Sequence, residues 1–214
     1  MDRETFNHVM EILVSRYPDE VKPAHVAGGD PFKILIGAML SHRTRDEKTD
    51  AAFQKLFTKL PTIQSIAHAK IGEIQRLIRD VGFYRQKARR LRDVSRIILR
   101  EYGGRVPSDR NELMRLPGVG PKTADIVLTH GFGMAEVAVD THVETVAKRL
   151  GLAGDKASYE EVKRAIHNLA NERHLPIINR LFIAFGREIC RRPRPRCHMC
   201  PVRSYCRYFQ LLGG

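Results

Sequence analysis

The sequence predicts an all-α protein, and three observations carry that expectation. Apolar residues recur at three- and four-residue spacing along most of the 214 residues, the period of one helix face. Capping residues precede these stretches, and glycines follow them. The single strand candidate, Val137-Ala138-Val139, is too short to found a sheet. With 43% hydrophobic and 29% charged residues, the chain is ordinary for a folded protein and long enough for one sizeable core or two small ones.

Taken in chain order, Phe6, Val9, Met10, Leu13 and Val14 mark a first helix that must stop before Pro18. Asp30-Pro31 supplies an N-cap and a first-turn proline for a second helix, "FKILIGAML". Thr44 with Glu47 has capping-box spacing and predicts another helix start. Gly103-Gly104 is a helix stop. In "LPGVGPKTADIVL", Gly118 and Gly120 frame a hairpin and Pro121 opens a helix whose Ala124, Val127, Leu128 and Gly131 share one face. Asp140 stands at a helix start ahead of Val143, Val146, Ala147 and Leu150, and Gly151 closes that helix. Ser158 with Glu161 forms a second capping box, opening a stripe of Tyr159, Val162, Ile166 and Leu169. No fixed-period repeat or low-complexity linker divides the chain.

Charge indicates the partner. Lys+Arg 37 against Asp+Glu 24 gives a net charge of +13, which favours a polyanion, nucleic acid first and an acidic membrane surface second. No apolar run is long enough to span a bilayer, and the N-terminal "MDRETFNHVMEILVSRY" carries acids where a signal peptide is apolar. The expected location is intracellular, in the cytoplasm or nucleoid.

Within this basic chain, Lys122 points away from the apolar face of its helix, and the hairpin Gly118-Val119-Gly120 can present backbone N–H groups to a phosphate. The plainer alternative is a surface lysine paired with Asp125 at i,i+3. Asp140 likewise has a plain reading as a helix cap. All four cysteines, Cys190, Cys197, Cys200 and Cys206, cluster near the C-terminus as C-x6-C-x2-C-x5-C. Four grouped thiols in an intracellular chain are a metal site rather than disulfides. Ligand type alone suits zinc and an iron–sulfur cluster equally.

LPGVGPK and VDTH together resemble the helix-hairpin-helix DNA glycosylases, and most closely the endonuclease III family. The resemblance runs from "FKILIGAMLS" to the terminal cysteines. It implies a two-lobed fold: a six-helix barrel over 24–134 carrying the hairpin, and a discontinuous cluster domain over 1–23 and 135–214, with DNA held in the groove between them. It implies that Lys122 and Asp140 are the catalytic pair and that the four cysteines hold a [4Fe–4S] cluster. The expected partner is double-stranded DNA containing damaged bases or abasic sites, bound by a monomer.

The residue types suit that chemistry. An amine can attack a sugar C1′, displace the base and leave an imine that acidifies the C2′ proton, so the strand breaks by β-elimination. An ionised aspartate stabilises the cationic sugar and assists proton transfer. By the same resemblance, Arg43 in "LSHRTRDEKT" stands where bacterial members carry a glutamine that fills the vacated space, and Phe83 in "DVGFYRQKA" stands where an apolar wedge enters the opposite strand. Arg43 as a phosphate contact and Phe83 as a core residue are the competing readings. Arg191, Arg192, Arg194 and Arg196 lie between the first two cysteines, forming a basic loop suited to the phosphate backbone. His42 and His142 are read as structural hydrogen-bonding residues. Two rivals are weighed: a mismatch (uracil or thymine) glycosylase of the same superfamily would lack the lysine nucleophile, and a non-catalytic hairpin module would need neither the Lys122–Asp140 pair nor the cysteines.

Overall fold

The computed structural model describes residues 1–22 and 29–213, and within them every regular element is helical. The segment Val137-Ala138-Val139 is buried but irregular, and it pairs with no strand among the described residues. No helix of the described residues is long and apolar enough to cross a membrane.

Contacts divide the chain into two compact units, Met1–Ala27 with Gly133–Gly214, and Gly28–Phe132. The domain boundary expected at residues 23 and 24 lies outside the described residues.

The unit Gly28–Phe132 contains α2 (Pro31–Ser41), α3 (Asp46–Lys59), α4 (Ile63–His68), α5 (Ile71–Leu77), α6 (Tyr84–Glu101), α7 (Arg110–Arg115) and α8 (Pro121–Ile126). Asp30 caps α2 as expected, its carboxylate accepting from the N–H groups of Phe32 and Lys33. α6 presents Ala88, Leu91, Val94 and Ile98 to Leu35, Ile36 and Leu40 of α2 and Ile66 of α4, and all but Ala88 are branched aliphatic groups. Removing each such side chain from water contributes about 1.5–3 kcal/mol, so this shared core holds the loops at the helix ends in place. Gly104 terminates α6, donating its N–H to Ile98 O, with Gly103 and Gly104 both at positive φ. α8 continues into a wider π turn over Val127–Gly131, where Thr129 Oγ1 donates to Asp125 O.

The Thr44–Glu47 capping box does not form. The N-cap of α3 is Arg45 and has no side-chain cap bond, because Thr44 Oγ1 is engaged elsewhere, donating to His42 O and accepting from Gly82 N.

The second unit contains α1 (Arg3–Arg16), α9 (Thr141–Leu150), α10 (Tyr159–Leu169), α11 (Leu175–Glu188) and α12 (Arg207–Leu211). Phe6, Val9, Met10 and Leu13 of α1 are fully buried against α10 and α11. The Ser158–Glu161 capping box is present, and Gly151 ends α9 at φ +85°. α11 is the central apolar helix, burying Ile178, Leu181, Phe182 and Phe185.

Candidate active site and cysteine centre

Lys122 sits on the first turn of α8 with its side chain exposed, while Thr123, Ala124 and Asp125 behind it are buried. The pair with Asp125 is not made. Asp125 is wholly buried and accepts from Arg110 Nε at 2.8 Å, tying α8 to α7 across the hairpin. A buried carboxylate needs such a partner, and the clamp fixes the helix that carries the lysine.

The two hairpin glycines have different reasons to be glycine. Gly118 has φ +85°, and an added Cβ would lie 2.7 Å from Arg90 Cδ. Gly120 caps α8 at φ −105° in extended backbone, and a Cβ there would meet nothing within 4 Å. The fold places no demand for glycine at Gly120, and no side chain caps the N–H groups that follow it. Val119 between them is buried.

Lys122 lines a cleft of about 440 Å³ together with Ser41, His42, Arg43, Phe83, Gln86, Lys87, Arg90 and Gly118. Among the described residues its walls carry four basic side chains and no carboxylate. His42 Nε2 lies 3.0 Å from Thr123 Oγ1, the hydrogen-bonding role expected of it. Burial, with the nearby charges of Lys122, Lys87 and Arg90, holds the His42 ring below its usual value and so in its neutral form near pH 7. Arg43 is exposed, and Phe83 is 59% exposed, which removes the core reading of Phe83.

Lys87 was not anticipated. It is 6% exposed, and burial pulls its ammonium down to about 8. A sequence signal exists: Lys87 falls on the same α6 stripe as Ala88, Leu91, Val94 and Ile98, where an apolar residue is the rule.

In the other unit, Asp140 is the N-cap of α9 and half-buried. Its Oδ1 accepts from His142 N at 2.9 Å and from Val143 N at 2.8 Å, which leaves Oδ2 without a protein donor among the described residues. The buried segment before it is anchored by side chains, with Val139 N donating to Tyr159 Oη and Asn179 Nδ2 donating to Ala138 O. His142 packs on α11 at Gly186, where a Cβ would come within 2.5 Å of the ring. Lys122 and Asp140 therefore belong to different units, each on a rigid local frame.

The four cysteines form no disulfide and line one apolar cavity with Val146, Leu150, Phe185, Ile189, Val202 and Phe209. Among the described residues no three His, Cys, Asp or Glu side chains are grouped so as to hold a single metal ion. Arg149 Nη1 donates to Cys190 Sγ at 3.2 Å and to the carbonyls of Cys190 and Arg191, and its guanidinium lies over the Tyr208 ring. Burial pushes the Cys200 thiol up to about 11 and raises Cys190 and Cys206 as well. Arg191, Arg192 and Arg194 are all exposed on the loop that joins Cys190 to Cys197.

Comparison with known proteins gives the same pattern. Residues 36–172 match the HhH-GPD superfamily of base excision DNA repair proteins. Endonuclease III of Thermotoga maritima is 42% identical over 201 residues, covering 94% of this chain and 92% of its own. The solved structure of a trapped endonuclease III–DNA covalent intermediate, an estranged-adenine complex, matches at TM-score 0.89 and 32% identity with 100% of both chains covered. A thermostable thymine-DNA glycosylase matches at TM-score 0.84 and 25% identity, over 96% of this chain and 99% of its own.

Proposed function

The chain belongs to the endonuclease III family within the HhH-GPD superfamily of base excision DNA repair proteins, and from that premise we propose that it is a bifunctional DNA glycosylase and abasic-site lyase acting on oxidised or ring-damaged pyrimidines in double-stranded DNA. The observation that carries this reading is Lys122: an exposed amine on the first turn after a glycine hairpin, facing a basic cleft, whose expected acidic neighbour is turned into the core.

The Lys122 Nζ lone pair attacks the sugar C1′. The bond from C1′ to the base breaks, its electron pair leaves on the base, and the base takes up a proton. Loss of a proton from Nζ and opening of the sugar ring give the imine. Removal of the C2′ proton then forms the C2′=C3′ double bond, and the 3′ C–O bond breaks with its electrons on the departing phosphate. In this reading the Asp140 carboxylate stabilises the cationic sugar, and Oδ2 is the oxygen its capping bonds leave for that task.

Gly120 without a Cβ lets a DNA phosphate approach the hairpin backbone, and Arg191, Arg192 and Arg194 add phosphate contacts on the other unit. Arg43 and Phe83 are the side chains that enter the duplex, Arg43 filling the vacated space and Phe83 wedging the opposite strand. The domain division proposed is the barrel over 24–134 and the cluster domain over 1–23 and 135–214.

Cys190, Cys197, Cys200 and Cys206 would hold a [4Fe–4S] cluster. All four line one apolar cavity, their spacing resembles the cluster loop of the endonuclease III family, and Arg149 beside Cys190 would offset thiolate charge. Such a cluster would supply a structural cross-link for the basic loop.

A mismatch glycosylase is the second reading, and the nucleophile separates the two. Single-lesion duplexes carrying an abasic site, an oxidised pyrimidine or a G·T mismatch provide the test. The expected result is base release from the oxidised lesion with nicking at both it and the abasic site. Base release from the mismatch without nicking anywhere would establish the other activity.

A further inference from the structure

Arg43 and Phe83 share an unusual backbone state. Neither is glycine, yet Arg43 has φ 50° and Phe83 has φ 57°, the left-handed region that such residues seldom occupy. Residues persist there only where their surroundings over-determine them. Here the two lie on separate loops, one after α2 and one before α6, and the Arg43 guanidinium stands 5.7 Å from the centre of the Phe83 ring.

The over-determining group is underneath. Lys87 Nζ lies 2.6 Å from Leu40 O, 2.7 Å from His42 O and 3.0 Å from Thr44 Oγ1. An ammonium has three donors, and these three acceptors use all of them. Two are carbonyls at the C-terminal end of α2, where cations are favoured. Thr44 Oγ1 also accepts from Gly82 N at 3.1 Å, so the hydrogen bonds run from α6 through Thr44 to the residue preceding Phe83. Gly82 completes the contact: a Cβ there would lie 2.8 Å from Arg43 O, so only glycine lets the loops touch.

We propose that Lys87 is a positioning residue that locks the Arg43 loop and the Phe83 loop into one preformed, DNA-penetrating element. This rests on the reading of Arg43 and Phe83 given above. Although Lys87 borders the cleft, all three of its donors are spent inside the protein, so its effect passes through the loops, and through selection of distorted duplex rather than through general affinity. Pre-set geometry of this kind is worth roughly 10- to 100-fold where a displacement of about 1 Å decides the outcome.

The test uses the full chain and a duplex with a tetrahydrofuran abasic analogue opposite 2-aminopurine, whose fluorescence rises when it is unstacked. Lys87→Met keeps the length and apolar stem of the side chain and removes the ammonium. It should bind undamaged duplex within about twofold of the parent, lose roughly 10- to 100-fold of its preference for the analogue, and lose most of the fluorescence rise. A merely destabilised protein would lose both kinds of binding together. Thr44→Val removes the shared oxygen with little change in volume and should give a weaker form of the same split; it decides the matter should Lys87→Met fail to fold. Arg43→Ala and Phe83→Ala separate the two levels of the reading. Loss of analogue preference in those variants, with preference and fluorescence intact in Lys87→Met and Thr44→Val, overturns the positioning role alone. Intact preference in Arg43→Ala and Phe83→Ala overturns the assignment of the loops, and this proposal with it.

Discussion

Asp140 has two tasks that one substitution can separate. Both backbone N–H groups it caps go to Oδ1, so Asp140→Asn can keep an oxygen in that place while removing the charge from the free oxygen. The cap then loses only its charge–dipole contribution, about 0.3–1 kcal/mol. For a chain of this length that is a drop in Tm of at most about 4 °C. Asp140→Ala loses the cap outright, at about 0.5–2 kcal/mol. Turnover should not follow this order. If Oδ2 stabilises the sugar cation, both variants should lose about 100- to 1,000-fold in single-turnover base release, the equivalent of roughly 2.7–4 kcal/mol. The assay is single-turnover release on an oxidised-pyrimidine duplex, paired with thermal unfolding of the same preparations. Full turnover by Asp140→Asn, with Asp140→Ala impaired only in stability, would reduce Asp140 to a helix cap.

Gly120→Ala should leave thermal stability unchanged, since its φ is ordinary and the space around it open, yet weaken duplex binding; unchanged binding would remove the phosphate from the hairpin. Gly118→Ala should instead lower stability by about 1–2 kcal/mol, because φ +85° is strained for alanine. Protein purified anaerobically should be brown and contain iron, and Cys200→Ala should lose that colour along with solubility or DNA affinity; zinc in place of iron would identify the other metal. Affinity for undamaged duplex should fall steeply with added salt, and Arg194→Ala should reduce the slope of log K against log salt by about 1. An identical slope would place Arg194 off the DNA.

Periodicity and caps show where much of the fold is legible. The outward direction of Lys122 follows from the positions of Ala124 on α8 and of Val127 and Leu128 in the π turn that continues it, and all three are buried. The Asp140 cap and the Ser158–Glu161 box are local in sequence, so their hydrogen bonds can be read from spacing alone. Thr44 has the same spacing to Glu47 but is drawn away by Gly82 and Lys87, 38 and 43 residues distant. The stripe position of Lys87 is visible in sequence but its partners are not, for a related reason: two of its three acceptors are backbone carbonyls, which no side-chain pattern reveals. Phe83 could not be assigned to core or surface from an aromatic residue beside glycine, because its exposure depends on a left-handed turn fixed by the neighbouring loop. Spacing grouped the cysteines, whereas the apolar cavity around them is assembled from α9, α11 and the C-terminal turn.

The central claim is that Lys122 is the nucleophile, and the imine it would form makes that directly measurable. Incubation with an abasic duplex in the presence of borohydride should reduce the imine to a permanent protein–DNA link, and peptide mapping should place that link on Lys122. Lys122→Gln keeps the helix and much of the side-chain volume, so it should still bind the duplex while giving no adduct and no strand cleavage. An adduct that persists in Lys122→Gln and maps to another amine would contradict the account.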